Sequence, residues 1–186
     1  DVIWFDINYM DEFRVFTIDN RDFPDPKRMN KYLHDNGFHS VYMIDPGVKV
    51  DDNYFVYKTG KEQNAFVCDI YRNEFHGKVW PGACAFPDFT RPETRTWWSG
   101  LYKDFMANGI DGIWNDMNEP SVFDGPGGTM PENNIHLGGG NLPIGSHLMY
   151  HNAYGRLMVE ASYNGMMAAN PGKRPFLLSR SNIIGG

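Results

Sequence analysis

Gly112-Ile-Trp-Asn-Asp-Met-Asn-Glu-Pro-Ser121 decides how this chain is read. An apolar lead-in, Ile110 to Trp114, runs straight into two carboxylates, Asp116 and Glu119, with two amides between them and a proline behind. A buried parallel strand is apolar on both faces and turns polar abruptly where it emerges at the C-terminal face of a barrel. A carboxylate at that point can be a nucleophile, a base or a metal ligand. The plainer alternative is an aspartate that caps the loop after the strand.

Outward from that stretch the same grammar recurs: helix, Asn-Gly or Asn-Pro-Gly stop, apolar strand, polar residue. Asp25 before Pro26 reads as an N-cap with proline at the first helical position, and the helix runs through Met29 and Leu33 to Asn36-Gly37. The strand Ser40 to Ile44 then delivers Asp45-Pro46. Thr90 and Glu93 have the spacing of a capping box, and Trp97, Trp98, Leu101, Phe105 and Met106 form an apolar stripe that ends at Asn108-Gly109. A third helix, Tyr150 to Ala169, breaks at Asn170-Pro171-Gly172, and Phe176 to Leu178 delivers Ser179-Arg180. The opening strand, Val2 to Phe5, delivers Asp6.

Four strands with helices between them predict a parallel α/β architecture, because parallel neighbours need crossover connections. Every strand leads into a charged residue, and no Gly-x-Gly-x-x-Gly follows a strand. Both points favour a (β/α)₈ TIM barrel over an open nucleotide-binding sheet. A full barrel takes roughly 250 residues. Residues 1–186 are therefore expected to be part of one catalytic barrel domain, about four consecutive strands with inserted loops, an excerpt lacking the remaining strands and any accessory β domains. The insertions fall at Gly47 to Phe89, with mixed short strands that include Lys78-Val-Trp-Pro-Gly82, and at Pro120 to His147. Gly138-Gly-Gly140 lacks the Lys-Ser/Thr of a P-loop and reads as flexible backbone.

With 186 residues, 41% of them hydrophobic, the chain can fill one core. A net charge of −6 and the lack of a basic run argue against nucleic acid. No apolar run is long enough to span a bilayer. The charge and the two cysteines, Cys68 and Cys84, read as buried thiols, fit a soluble cytoplasmic protein and a secreted one alike. Five Trp, ten Tyr and thirteen Phe can fill a core, and aromatic rings can also wall a sugar site.

Six motifs, in order, carry a resemblance. They are Trp4-Phe-Asp-Ile-Asn-Tyr-Met10, Met43-Ile-Asp-Pro-Gly47, Val79-Trp-Pro-Gly82, Phe86-Pro-Asp-Phe-Thr90, Trp114-Asn-Asp-Met-Asn-Glu-Pro120 and Pro175-Phe-Leu-Leu-Ser-Arg180. Together they resemble the α-glucosidases and relatives of glycoside hydrolase family 31, across nearly the whole chain. The resemblance implies a retaining enzyme that acts on an α-glucoside with no metal or organic cofactor. It implies Asp116 as the nucleophile: a carboxylate can attack the anomeric carbon, leave again, and stabilise an oxocarbenium-like transition state. It implies Asp6 and Arg180 as ligands of sugar hydroxyls, which suit bidentate groups. Trp80 and Trp114 match aromatic walls; Ile7, Ile44, Met117 and Phe89 match residues that line or support the subsite; Asp45 matches an acid beside it.

Glu119 reads as a residue that orients its neighbours. Retaining chemistry needs its second carboxyl across the glycosidic bond, about 5 Å from the first, and Glu119 shares a segment with Asp116. The implied acid/base aspartate belongs to a Gly-Asp motif beyond Gly186, and a histidine lies further on. The excerpt alone is accordingly expected to be inactive and to fold poorly. Asn8 departs from the second aspartate of the first motif, which bears on the substrate more than on activity. α-Xylosidase, transglucosidase and α-glucan lyase activities share the nucleophile. A silent carbohydrate-binding relative would have lost Asp116 or its surroundings. Oligomeric state is left open.

Overall fold

The computed structural model describes residues 1–184. In chain order its elements are β1 (Val2–Phe5), α1 (Pro26–Asp35), β2 (His39–Ile44), β3 (Val48–Lys49), α2 (Phe55–Glu62), β4 (His76–Val79), β5 (Gly82–Ala85), α3 (Pro92–Met106), β6 (Gly112–Asn115), β7 (Ile135–His136), β8 (Gly145–Ser146), α4 (His147–Ala169) and β9 (Phe176–Ser179). Four of these strands form one parallel sheet in the order β1-β2-β6-β9. The predicted strands are present, and the sheet with its crossover helices is part of an α/β barrel.

Side-chain alternation divides the sheet's two faces. Phe5, Tyr42 and Ile113 form one row on the helix side. Tyr42 stacks on Phe5 at 4.4 Å between ring centres and meets Tyr9 and Phe105 edge-on at 4.8 and 6.0 Å. Such pairs add about 0.5–1.5 kcal/mol each beyond the area they bury. Trp4, Val41, Gly112 and Phe176 form a row on the other, inner face. Trp4, Phe176 and Leu178 are exposed there, along a sheet whose edges among the described residues are β1 and β9.

The helices carry the core. Asp25 caps α1 as expected, its Oδ1 accepting from Arg28 N at 2.9 Å. The α3 stripe is buried at Trp97, Trp98, Phe105 and Met106, with Tyr102 added and Leu101 only partly covered. This helix lies against α4, where Ser99 Oγ donates to Ala161 O at 2.7 Å and Tyr102 OH to Ser162 Oγ at 2.8 Å. No helix among the described residues is long and apolar enough to cross a membrane. Cys84 is buried and Cys68 half-buried, and both are free thiols.

Two local expectations fail. The Thr90–Glu93 capping box does not form: the cap of α3 is Arg91, with no side-chain bond. Thr90 Oγ instead donates to Asp88 at 2.5 Å and accepts from Gly138 N at 3.1 Å, so a long-range contact outcompetes the local one. Between β3 and β4 the sequence reading contained strands only, whereas α2 occupies eight residues of that insertion.

Asp88 is also the root of a buried chain. Its Oδ2 accepts from Leu137 N at 2.6 Å, and its Oδ1 from Thr90 and from His136 Nδ1 at 2.9 Å. His136 Nε2 lies 3.0 Å from His147 Nδ1, and His147 Nε2 lies 3.0 Å from His151 Nδ1. His136 and His147 are fully buried, so this chain fastens the Pro120–His147 connection and the start of α4 to the segment after β5.

Candidate active site

The parallel strands set the site's level. Beyond the last β2–β6 pair, Ile44–Asn115, the ladder continues through Asp116 N to Ile44 O at 3.1 Å, and Arg180 N bonds Asn115 O at 3.0 Å. Asp116 and Arg180 thus emerge side by side. Met117 follows at φ +53°, a left-handed conformation that costs a side-chain-bearing residue energy and recurs at functional turns. Asn118 holds that turn down: its Nδ2 donates to Ser179 Oγ at 2.9 Å, and its Oδ1 accepts from Ser181 N at 3.2 Å.

Arg180 is fixed by two acids and a hydroxyl. Its Nε and Nη2 bind Glu119 Oε1 and Oε2 at 2.9 and 2.7 Å, a bidentate pair. Ser121 Oγ closes the clamp, donating to Glu119 Oε2 at 2.6 Å and accepting from Arg180 Nη2 at 3.0 Å. Held there, the guanidinium stands 3.2 Å from Asp116 Oδ1. The hydrogen bond from Arg180 keeps the Glu119 carboxyl below its usual range. Burial pushes Asp116 upward against the pull of Arg180, with the Glu119 and Asp6 charges adding to the rise.

These residues open onto a cleft of about 490 Å³ lined by Asp6, Ile7, Met43, Trp80, Asp116, Met117, Ser121, Val122, Phe123, Gly128 and Arg180. Clefts of about 540 and 680 Å³ lie elsewhere, but neither brings two carboxyls together. Chemistry, rather than size, selects the smaller one. Asp6 is exposed at the rim, where its Oδ1 caps the short turn Ile7–Tyr9 by accepting from Ile7 N at 2.7 Å. Trp80 is also exposed and meets Phe123 edge-on at 5.3 Å. Among the described residues, no group of three or more His, Cys, Asp or Glu side chains could hold a metal.

Of the residues singled out in the sequence, Asp6, Ile7, Trp80, Asp116, Met117 and Arg180 meet in this cleft. Four others are placed differently. Phe89 lies in the core, where it can support the site but does not line it: it is fully buried, edge-on to Trp98 and Tyr154 at 5.3 Å from each. Ile44 is likewise buried, on the helix side of β2 with Tyr42. Asp45 is 1% exposed, beneath the cleft rather than on its wall. Trp114 sits on the inner face below Asp116, edge-on to Trp4 at 6.2 Å. Glu119 stands behind Arg180, in keeping with an orienting residue, and Asn8 is exposed but not part of the lining. Met43, Ser121, Val122, Phe123 and Gly128 complete the lining, and sequence reasoning assigned none of them to the site.

Residues 1–186 match the TIM-barrel domain of glycosyl hydrolases family 31 along their whole length. Alpha-glucosidase 2 of Bacillus thermoamyloliquefaciens is 45% identical over 185 residues, covering 100% of this chain and 23% of the relative. The crystal structure of a family 31 alpha-glucosidase from Bacteroides thetaiotaomicron is 54% identical with a TM-score of 0.83, covering 100% of this chain and 29% of that one. The ER glucosidase II catalytic subunit, solved with the binding domain of its regulatory subunit, is 40% identical with a TM-score of 0.90, covering 100% and 20%. The chain belongs to glycoside hydrolase family 31. It spans about a fifth of the length of the curated relatives it matches.

Proposed function

We propose that this chain is part of the catalytic barrel domain of a retaining exo-α-glycosidase, an α-glucosidase that removes terminal α-linked glucose from oligosaccharides or α-glucans. The observation that carries the reading is Asp116, partly buried at a strand end, facing the cleft, and 3.2 Å from a guanidinium that Glu119 and Ser121 hold in place. That these relatives are alpha-glucosidases supports glucose as the sugar.

In the first step an Asp116 oxygen attacks the anomeric carbon. The bond to the leaving oxygen breaks, and that oxygen takes the electron pair and a proton from a second carboxyl on the opposite side of the bond. In the second step the same carboxyl takes a proton from water, whose oxygen displaces Asp116 and restores its carboxylate. Two inversions give net retention. Asp6 and the outward edge of Arg180 hold hydroxyls of the sugar, and Trp80 with Phe123 offers apolar faces to its ring. Glu119 is not the second carboxyl: it lies on the nucleophile's own segment, and both its oxygens are bound to Arg180.

The test is covalent trapping in the full-length protein with 5-fluoro-α-glucosyl fluoride, followed by digestion and mass spectrometry. A glycosyl adduct at Asp116 is expected. Folded protein that stays unlabelled with both the glucosyl and the xylosyl reagent overturns the reading and points to a silent relative.

A further inference from the structure

One buried carboxyl has no part in these steps. Asp45 directly follows β2 as Asp116 directly follows β6, and the two strands are paired in register to Ile44–Asn115. By strand alternation from Met43, Asp45 is directed to the inner side, as Asp116 is. One Asp45 oxygen accepts from Gly47 N at 3.0 Å. The other, Oδ2, is buried with no hydrogen-bond partner among the described residues, and so is Asp116 Oδ1.

The titratable and charged groups around Asp45 come from six segments. They are Tyr9 after β1, Tyr54 before α2, Cys84 on β5, Tyr154 on α4, and Asp116 with Arg180 at the strand ends. Arg180 is the single cation in this set, and Glu119 already binds it through two bonds. A carboxylate with one N–H donor and an anionic neighbour is expensive to keep ionised; adding a proton removes most of that cost. Burial, with a contribution from Asp116, pushes the Asp45 carboxyl up to about 7.

We propose that Asp45 is a positioning residue that works in its protonated form, filling the space beside the nucleophile so that Asp116 is the one anion beneath the anomeric carbon. Ionisation would create a second buried anion whose one cation among the described residues is Arg180. The guanidinium would then be drawn off the Glu119–Ser121 clamp, and the cleft would lose the group that orients the sugar. The proposal rests on Asp116 being the nucleophile.

The experiment is the pH dependence of kcat/KM for α-glucosyl fluoride in the full-length enzyme. As the Asp116–carbon bond forms, the carbon–fluorine bond breaks and fluoride departs with the electron pair. No proton donor is needed, so the separate acid/base carboxyl imposes no alkaline limb on this step. The wild type is expected to fall about tenfold per pH unit above about pH 7, the slope of one ionisation. Asp45→Asn, neutral at every pH, is expected to match the wild type within about threefold at pH 6 and to lose that fall. Should the asparagine variant not fold, Asp45→Ser serves, with the same flat profile expected. An unaltered alkaline fall in the neutral variant overturns the proposal. So does a loss of 100-fold or more at pH 6 through KM, which would make Asp45 a charged sugar ligand. Absent wild-type turnover together with an unlabelled Asp116 removes the underlying reading instead, so the two failures are distinguishable.

Discussion

Asp88 and Asp45 are equally buried, at 0% and 1% exposure, and are provisioned in opposite ways. Asp88 accepts from the Thr90 amide and hydroxyl, the Leu137 amide and His136, so donors from several segments converge on one carboxylate. Those bonds hold its carboxyl below the usual range despite the burial that opposes them. Asp45 has the Gly47 amide alone and is raised to about 7. Burial therefore does not decide whether a carboxylate stays charged; the number of donors aimed at it does. The first region holds its charge through converging donors, and the second leaves its carboxyl to bind a proton.

The sharpest way to break this comparison is Asp88→Ala, which strands buried donors from two loops. A loss of roughly 3–5 kcal/mol in the stability of the full-length protein is expected, the scale of removing one partner from a buried pair, read by urea unfolding. A loss under about 1 kcal/mol would mean the donors find other acceptors.

Asp45→Asn should act in the opposite sense, and increasingly as pH rises from about 4 to about 7. The folded carboxyl, raised to about 7, binds its proton where the unfolded one has released it, so stability falls as pH climbs from about 4 to about 7. The asparagine variant escapes that fall. It is expected to gain up to about 4 kcal/mol over the wild type at pH 8 and little at pH 4, read by urea unfolding at both values. A gain independent of pH would contradict a titrating Asp45.

The mildest effect is expected at Glu119→Gln, which keeps shape but replaces a charged acceptor of Arg180 with a neutral amide. Hydrolysis should slow by about 10- to 100-fold, or roughly 1.4–2.7 kcal/mol, with KM rising as Arg180 loosens. An unchanged KM would place the effect in the transition state alone.

The strand-end layer was largely legible in the sequence because its signals are local. Apolar runs that turn polar at Asp6, Asp45, Asp116 and Arg180 located the strands, and Asp25 before Pro26 located a helix start. What escaped depends on contacts between distant segments. Phe123 reaches the cleft because its loop folds back on β4, with Phe123 N bonding Lys78 O at 2.7 Å. Phe89, adjacent to a recognised motif, turns into the core instead. Thr90 carried a correct capping pattern and spent its hydroxyl on Asp88. The Asp88–histidine chain gave no hint in the spacing of His136, His147 and His151 beyond the helical interval of the last pair.

That chain has a direction. An ionised carboxylate only accepts, so Asp88 requires a proton on His136 Nδ1 and leaves the neutral ring's Nε2 as an acceptor. His147 must then donate from Nδ1, and His151 likewise, so one aspartate dictates the tautomer of three imidazoles in a row. Burial, with the neighbouring His136 and His151 rings, holds His147 down to about 3. The order set at Asp88 therefore passes through a neutral ring into the start of α4.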